Sequence, residues 1–591
     1  MKQEFSINRN SITLNFTVNY CTTSDQILSS TGFKKILNSY VLKIAKKDTE
    51  VFRHLKELAG TQEVVEEITH LFKLLLVFDL DSVEKLDEKY VTFFGRKDLV
   101  IEFIEDLYSY WRRFERYAII RNKKFEVGLQ NANFFNSMND FTNLVLSTYR
   151  KIEETVMETK HRVYRQLPAG ANLGIIVNNV NWNIPKEYYS LEKVNFINSV
   201  ILQPPFITYP KQNTRKGVFK EVYENPIEGM YLNSEDWLCY PAKVGSLLAF
   251  IYFNKDFMAQ GVTLSNLFEL AKEEDYLNKK PDMIFVYGAR DFDPKMKTLF
   301  YEDKVNDIMV GYINYNEEID YFGYVKKMAL TLHNIKMIKE GGLPIHGAMV
   351  NITMKTGEAF NIIIMGDSGA GKSESLEAFR VLSEEYIKDM KVIFDDMGVL
   401  KIEDDRILGY GTEIGAFVRL DDLDAGYAYK QMDRSIFMNP NKINSRIVIP
   451  ISTYDTITTG FPVEYFLYAN NYEEGEAISF FKTPEEAKEV FVAGKRKAKG
   501  TTSEKGLVNS YFANPFGPVQ KQKETNFLID KFFNKMYQDK VVVGQIRTML
   551  GIEGKEQEGP IKAAERLFNL IMKKNQIKNR KGSDNNETII C

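Results

Sequence analysis

Gly366-Asp367-Ser368-Gly369-Ala370-Gly371-Lys372-Ser373 constrains this chain more than any other stretch. It fits the pattern of a glycine, four residues, Gly-Lys and Ser or Thr, whose backbone N–H groups turn inward on a phosphate. The glycines supply the backbone freedom for that turn. The apolar run Asn361-Ile362-Ile363-Ile364-Met365 before it predicts a buried strand, and residues 375–382 after it predict a helix. That order places the partial positive charge of a helix N-terminus at the anion. Lys372 is then expected to reach the β- and γ-phosphates, and the Ser373 hydroxyl to face Mg²⁺. The stretch predicts a nucleoside triphosphate site on an α/β core.

The 591 residues allow three or four domains with large buried cores. After a β-like start at 11–18, residues 1–170 read as a mostly helical accessory domain. Ile101, Ile104, Leu107, Trp111 and Phe114 recur at helical spacing, as do Leu144, Thr148, Ile152 and Val156. Residues 171–330 change to an α+β lobe, with β-rich runs at 173–177, 247–253 and 283–287. Residues 331–575 alternate strands and helices around the phosphate loop, and 576–591 form a polar tail. The expected class is α/β, built of α+β lobes.

Lys and Arg total 77 against 80 Asp and Glu, so no basic field points to nucleic acid. Cys21, Cys239 and Cys591 are too scattered for a disulfide framework or a Cys-based zinc site, and they suit a reducing cytoplasm. The first residues lack the apolar core of a signal peptide. No apolar run approaches the ~18–20 residues that span a bilayer, so no membrane partner is expected.

Four features flank the loop. Lys326 and Lys327 form a pair upstream, and His346 follows 19 residues after Lys327. Asp395 and Asp396 close the apolar run Val392-Ile393-Phe394, at the C-terminal end of a predicted strand, where carboxylates can hold a metal ion. Arg446 lies in Asn444-Ser445-Arg446.

Taken in order, these stretches resemble the ATP-dependent phosphoenolpyruvate carboxykinase family across residues 200–575. Pro281-Asp282 to Gly288-Ala289-Arg290 is similar to its Pro-Asp-strand-Gly-Ala segment. Lys326-Lys327, with the step to His346, is similar to its Gly-Glu-Met-Lys-Lys-Gly motif. Residues 366–373 resemble its phosphate loop, and Asp395-Asp396 its Gly-Asp-Asp. Glu413 to Phe417 resembles Glu-Gly-Gly-Cys-Tyr, and Asn444-Ser445-Arg446 with Pro450 resembles Asn-Thr-Arg-x-x-Tyr-Pro. Val492-Ala493-Gly494 followed by Lys499-Gly500-Thr501 resembles its Ser-Gly…Ala-Gly-Thr near the nucleotide. The sequence departs from the family in its N-terminal region and in the glycines around the lysine pair. The loop wording Gly-Asp-Ser-Gly-Ala-Gly-Lys-Ser-Glu is closer to HPr kinase/phosphorylase.

The resemblance implies a carboxykinase-like phosphate-loop core, to which the N-terminal helical accessory domain is an addition that the family does not explain. It implies conversion of oxaloacetate and ATP to phosphoenolpyruvate, CO₂ and ADP. It assigns Mn²⁺ to Lys327, His346 and Asp396, with Lys327 neutral, and Mg²⁺ to Ser373 and Asp395. Lys326 is assigned to the transferring group, Arg446 to the γ-phosphate or substrate, and Arg215 to a substrate carboxylate. The alternative is an HPr-kinase-like enzyme in which Asp395 or Asp396 activates a hydroxyl of a protein or small molecule. A third reading is an ATP-binding regulator without catalysis.

Overall fold

The computed structural model describes residues 5–8, 10–16, 21–60, 63–121, 129–164, 168–215, 217, 219–290, 298–367, 369–382, 385–420, 423, 426–498, 506–556 and 558–584. The chain is of mixed α/β class and divides into two compact units. One comprises Met1–Val180 and Asn195–Tyr209, the other Asn181–Val194 and Pro210–Cys591.

The first unit is largely helical. Ser30, Thr49 and Asp79 start helices by accepting from backbone N–H groups of Phe33, Phe52 and Ser82. The helical spacings in the sequence fall on the helices Lys97–Arg113 and Leu129–Met157, with Phe114 just past the end of the first. Their apolar stripes share a core with Leu37, Leu55, Leu71 and Leu75. The β-like start becomes the strand Ser11–Asn15; residues 17–18 of that expectation lie outside the described residues. Among the helices lies a strand that periodicity did not signal, Glu115–Arg121. It pairs in parallel with Ser11–Asn15 and with Leu173–Asn178.

The second unit carries the phosphate loop. Its site-bearing elements are α1 (Phe322–Lys339), β1 (Leu343–Met354), β2 (Ala359–Met365), α2 (Lys372–Leu382), β3 (Ile387–Phe394), β4 (Met397–Glu403), β5 (Gly415–Arg419), β6 (Arg446–Pro450), β7 (Tyr465–Asn470), β8 (Val542–Arg547) and α3 (Glu558–Asp584). The mixed sheet runs β4-β1-β2-β7-β8, with β3 also on β1. The predicted strand and helix around the loop are β2 and α2. Alternation along β2 explains the two cores. Ile362 and Ile364 pack on one face with Phe379 of α2 and Leu567 of α3. Ile363 and Met365 pack on the other with Phe466 and Phe533.

Helix α1 packs against β1 and against the strands Met283–Ala289 and Ile308–Asn314. It is buried on nearly every side, yet it carries Lys326, His333, Asn334 and Lys336 in that interior. The expected polar tail begins within α3, and residues 585–591 lie outside the described residues. Among the described residues, no helix is long and apolar enough to cross a membrane.

Candidate active site

The phosphate loop leaves β2 and enters α2 at Lys372. Gly369 and Gly371 take φ of +80° and +91°, a region side chains resist. A Cβ on Gly371 would also lie 2.6 Å from the Thr548 side chain. Thr548 earns that proximity by donating to the Ala370 carbonyl at 2.7 Å. Asn471 donates to the Gly369 carbonyl and to that of Lys497, both at 3.0 Å. Lys372 curls over the loop and donates to the carbonyls of Gly366, at 2.8 Å, and Asp367, at 3.2 Å. Ser368 lies outside the described residues. Ser373 lies in the first turn of α2, its side chain undescribed.

Register brings the flanking features to this loop. His346 sits inside β1, opposite Met397 of β4. The next residue, Gly347, faces Met365 at the end of β2. The backbone N–H of Gly366 donates to the His346 carbonyl, and that of Gly347 to the Asp396 carbonyl, each at 3.0 Å. The β3–β4 turn holding Asp395 and Asp396 and the start of the phosphate loop thus flank one point on β1. Asp395 is half-buried at the end of β3.

Asp396 gathers the cluster. Lys326 and Lys327 of α1 each place Nζ 2.8 Å from its Oδ2, and His346 Nε2 lies 3.0 Å from its Oδ1. Lys326 also meets Glu413 Oε1 at 2.9 Å. Burial works to raise the Asp396 carboxyl, but the two lysines outweigh it and hold it well below the usual range. Burial pushes Glu413 up to about 7 against the pull of Lys326. Burial also lowers Lys326, but Asp396 and Glu413 together lift it above its ordinary value. Lys327 goes the other way, lowered by burial and by the charge of Lys326 despite Asp396.

Two aromatic rings extend the cationic side of the site. Phe417 on β5 lies under Lys326 Nζ, at 5.9 Å, and under the Arg446 guanidinium, at 5.3 Å. Phe516 lies under Lys327 Nζ, at 4.3 Å, and under the Arg215 guanidinium, at 5.7 Å. The Arg215 loop is fixed by Asn439, which donates to the Pro210 carbonyl at 2.8 Å, and by Asn444, which donates to the Asn213 carbonyl at 2.7 Å. Burial raises the Tyr321 phenol, and Arg446, Arg215 and Lys326 lie close enough to oppose the shift. Arg446 Nε is buried and makes no hydrogen bond. Arg215, Lys326, Lys327 and Arg446 are thus linked through Phe417, Phe516 and Tyr321, with Asp396 and Glu413 as carboxylate partners of the lysines. Such a cationic set suits a small anion of more than one charge.

His346 tests the fit of a metal ion. Its Nδ1–H donates to the Ala513 carbonyl at 2.6 Å, which makes Nε2 the basic nitrogen. Nε2 then faces a carboxylate oxygen, so a cation belongs between them, either a second ring proton or a metal ion. Lys327 is the third donor, already lowered toward the neutral form that ligation needs. The set fits a divalent ion through this lysine. Among the described residues, no group of three or more His, Cys, Asp and Glu is placed to hold one.

Lys326, Lys327, His346 and Asp396 therefore form one cluster joined to the loop through His346, and Arg446 joins it through Phe417 and Tyr321. Several contributors were not signalled. Arg496 grips Asp367, with Nε donating to Oδ2 at 2.8 Å, and Asp367 Oδ1 lies 3.6 Å from His346 Nδ1. Tyr321, Asn471 and Thr548 reach the site only through tertiary contact. The local signal for Arg496 is its place two residues after Gly494, which ends a helix with left-handed φ. Lys499, Gly500 and Thr501 lie outside the described residues. A scan against protein-family models and a search of curated proteins return no match to this chain.

Proposed function

We propose that this chain is an ATP-dependent carboxykinase, on a phosphoenolpyruvate-carboxykinase-like core, converting oxaloacetate and ATP to phosphoenolpyruvate, CO₂ and ADP in the cytoplasm. The observation that supports this reading is one cluster: Lys326, Lys327 and His346 on Asp396, with Arg215 and Arg446 on the shared rings, beside a phosphate loop. Arg215 and Arg446 offer planar forks to the carboxylates of a dicarboxylic keto acid. Lys372 holds the β- and γ-phosphates, and the loop N–H groups cradle them. Lys326, kept charged by Asp396 and Glu413, stands where negative charge passes to the transferring phosphoryl group. Phe417 and Phe516 keep water from the lysines. Lys327, His346 and Asp396 would hold a Mn²⁺ ion, and Ser373 and Asp395 a Mg²⁺ ion, and the chemistry such ions would supply there is Lewis-acid stabilisation of developing negative charge. In-line placement of the enolate oxygen against the γ-phosphate is then the remaining task.

The phosphate-loop wording favours a second reading, an HPr-kinase-like phosphotransferase. Against it, both Asp396 oxygens are engaged by lysine and histidine. The deciding assay supplies purified protein with ATP, Mn²⁺ and oxaloacetate and measures phosphoenolpyruvate, then runs the reverse from bicarbonate and ADP. Label passing from ATP to a specific protein in cell extract, with no phosphoenolpyruvate formed, overturns the carboxykinase reading.

A further inference from the structure

The first unit carries a partly open cavity of ≈ 420 Å³ that the proposed chemistry does not use. Its deep wall is Leu28, Ile36, Phe72, Ile104 and Ile152, each no more than 4% exposed. Among the described residues, no Asp, Glu, Lys, Arg or His lines it. Its polar lining comprises Ser29, Ser30 and Thr31, of which Ser29 and Thr31 are exposed, together with Asn15, Thr148 and the phenols of Tyr108 and Tyr149. An apolar cavity of about 150 Å³ already takes up benzene, so this one has room for roughly 15 carbon atoms. Burying a hydrocarbon there restores contacts that an empty apolar wall forgoes. The exposed hydroxyl residues Ser29 and Thr31 give a polar head a place at solvent, while the fully buried wall residues are apolar apart from Thr148.

We propose that this cavity binds a single-chain amphiphile, with an alkyl chain of roughly 10–15 carbons in the depth and a small oxygen-bearing head at residues 29–31. Site and ligand class are independent of the reaction at the phosphate loop. The accessory unit is then a ligand-binding module.

Trp111 lines the cavity, and the other tryptophans, Trp182 and Trp237, belong to the second unit. The full chain is titrated with monomeric 10-bromodecanoic acid, whose bromine quenches nearby indole emission. Saturable quenching that disappears in Trp111→Phe is expected. Val145→Phe, at a half-buried wall position, should weaken binding at least about tenfold at unchanged thermal midpoint, because added bulk displaces chain volume. Ile27→Phe repeats the test should that variant fold poorly. Running 10-bromodecanol beside the acid identifies the head: equal binding means a neutral oxygen suffices, and preference for the acid means a carboxylate. Unsaturable quenching, quenching that persists in Trp111→Phe, or binding unaffected by both filling variants overturns the proposal. So does quenching seen only with brominated phospholipid vesicles, which reassigns the cavity to a membrane surface. A dimer in sedimentation that excludes the acid reassigns it to a second copy.

Discussion

Asp396 and Glu413 share Lys326 but differ in what their removal leaves behind. Asp396 is the common anion for both lysines, so Asp396→Asn leaves Lys327 buried without its counter-charge. Breaking a buried pair in this way costs about 3–5 kcal/mol. Glu413, pushed up to about 7, is near half-protonated at neutral pH, and Glu413→Gln keeps its shape. Urea unfolding at pH 7 should therefore show a much larger loss for Asp396→Asn than for Glu413→Gln. Equal losses would contradict the assignment of Asp396 as the hub. A separate residue-scale effect comes from His333 on α1. Burial, with a smaller contribution from the charge of Lys401, lowers its pKa to about 4, while Nδ1 donates to Asn334 Oδ1 at 3.1 Å. An unfolded histidine titrates near ~6.5. Between those values the unfolded chain binds a proton that the folded chain refuses, so stability falls as pH drops from about 6.5 to about 4 and levels off below. The full loss is on the order of 3 kcal/mol. The stability difference between wild type and His333→Gln, measured by urea at pH 7.5 and at pH 5, should narrow or reverse at the lower pH. A difference independent of pH would mean that the imidazole takes up its proton alike in the folded and unfolded chain.

At the scale of elements, legibility followed locality. The phosphate loop, β2, α2 and the Asp-Asp end of β3 are each specified by a few consecutive residues, and they could be read without tertiary knowledge. Helix α1 could not. It is buried on nearly all sides, so it has no apolar stripe, and its lysines resemble a solvent face until Asp396 is placed against them. Strand Glu115–Arg121 was hidden because both its neighbours are distant in sequence. Arg215 and Arg446 could be named one by one, but only the fold brings both close enough to act on the Tyr321 phenol. The loop glycines differ in a way that composition does not show. Both Gly369 and Gly371 have positive φ, but only at Gly371 does a Cβ also run into Thr548. Gly371→Ala should thus weaken ATP binding more than Gly369→Ala, by at least about tenfold, the effect of ~1.4 kcal/mol of strain. Calorimetric titration of both variants checks the order. A weaker effect at Gly371 would mean that Thr548 moves aside freely.

At the scale of the molecule, each unit owns a hydrophobic core and each owns one of the two binding regions argued above. Chains with separate cores commonly unfold in more than one step. Scanning calorimetry of the full chain should therefore resolve two transitions. A ligand that binds only the folded form of one unit raises that unit's transition by mass action, by about 2.7 kcal/mol at 100 times its dissociation constant. ATP analogue with Mg²⁺ should move one transition, and decanoic acid the other. The nucleotide should act on the transition with the larger enthalpy, because unfolding enthalpy scales with residues released and the second unit is the larger. Lys372→Ala should abolish the first shift and spare the second, and Val145→Phe should do the reverse. A single transition raised by either ligand would instead make the chain one cooperative body, and a ligand bound in one core would then stabilise the other.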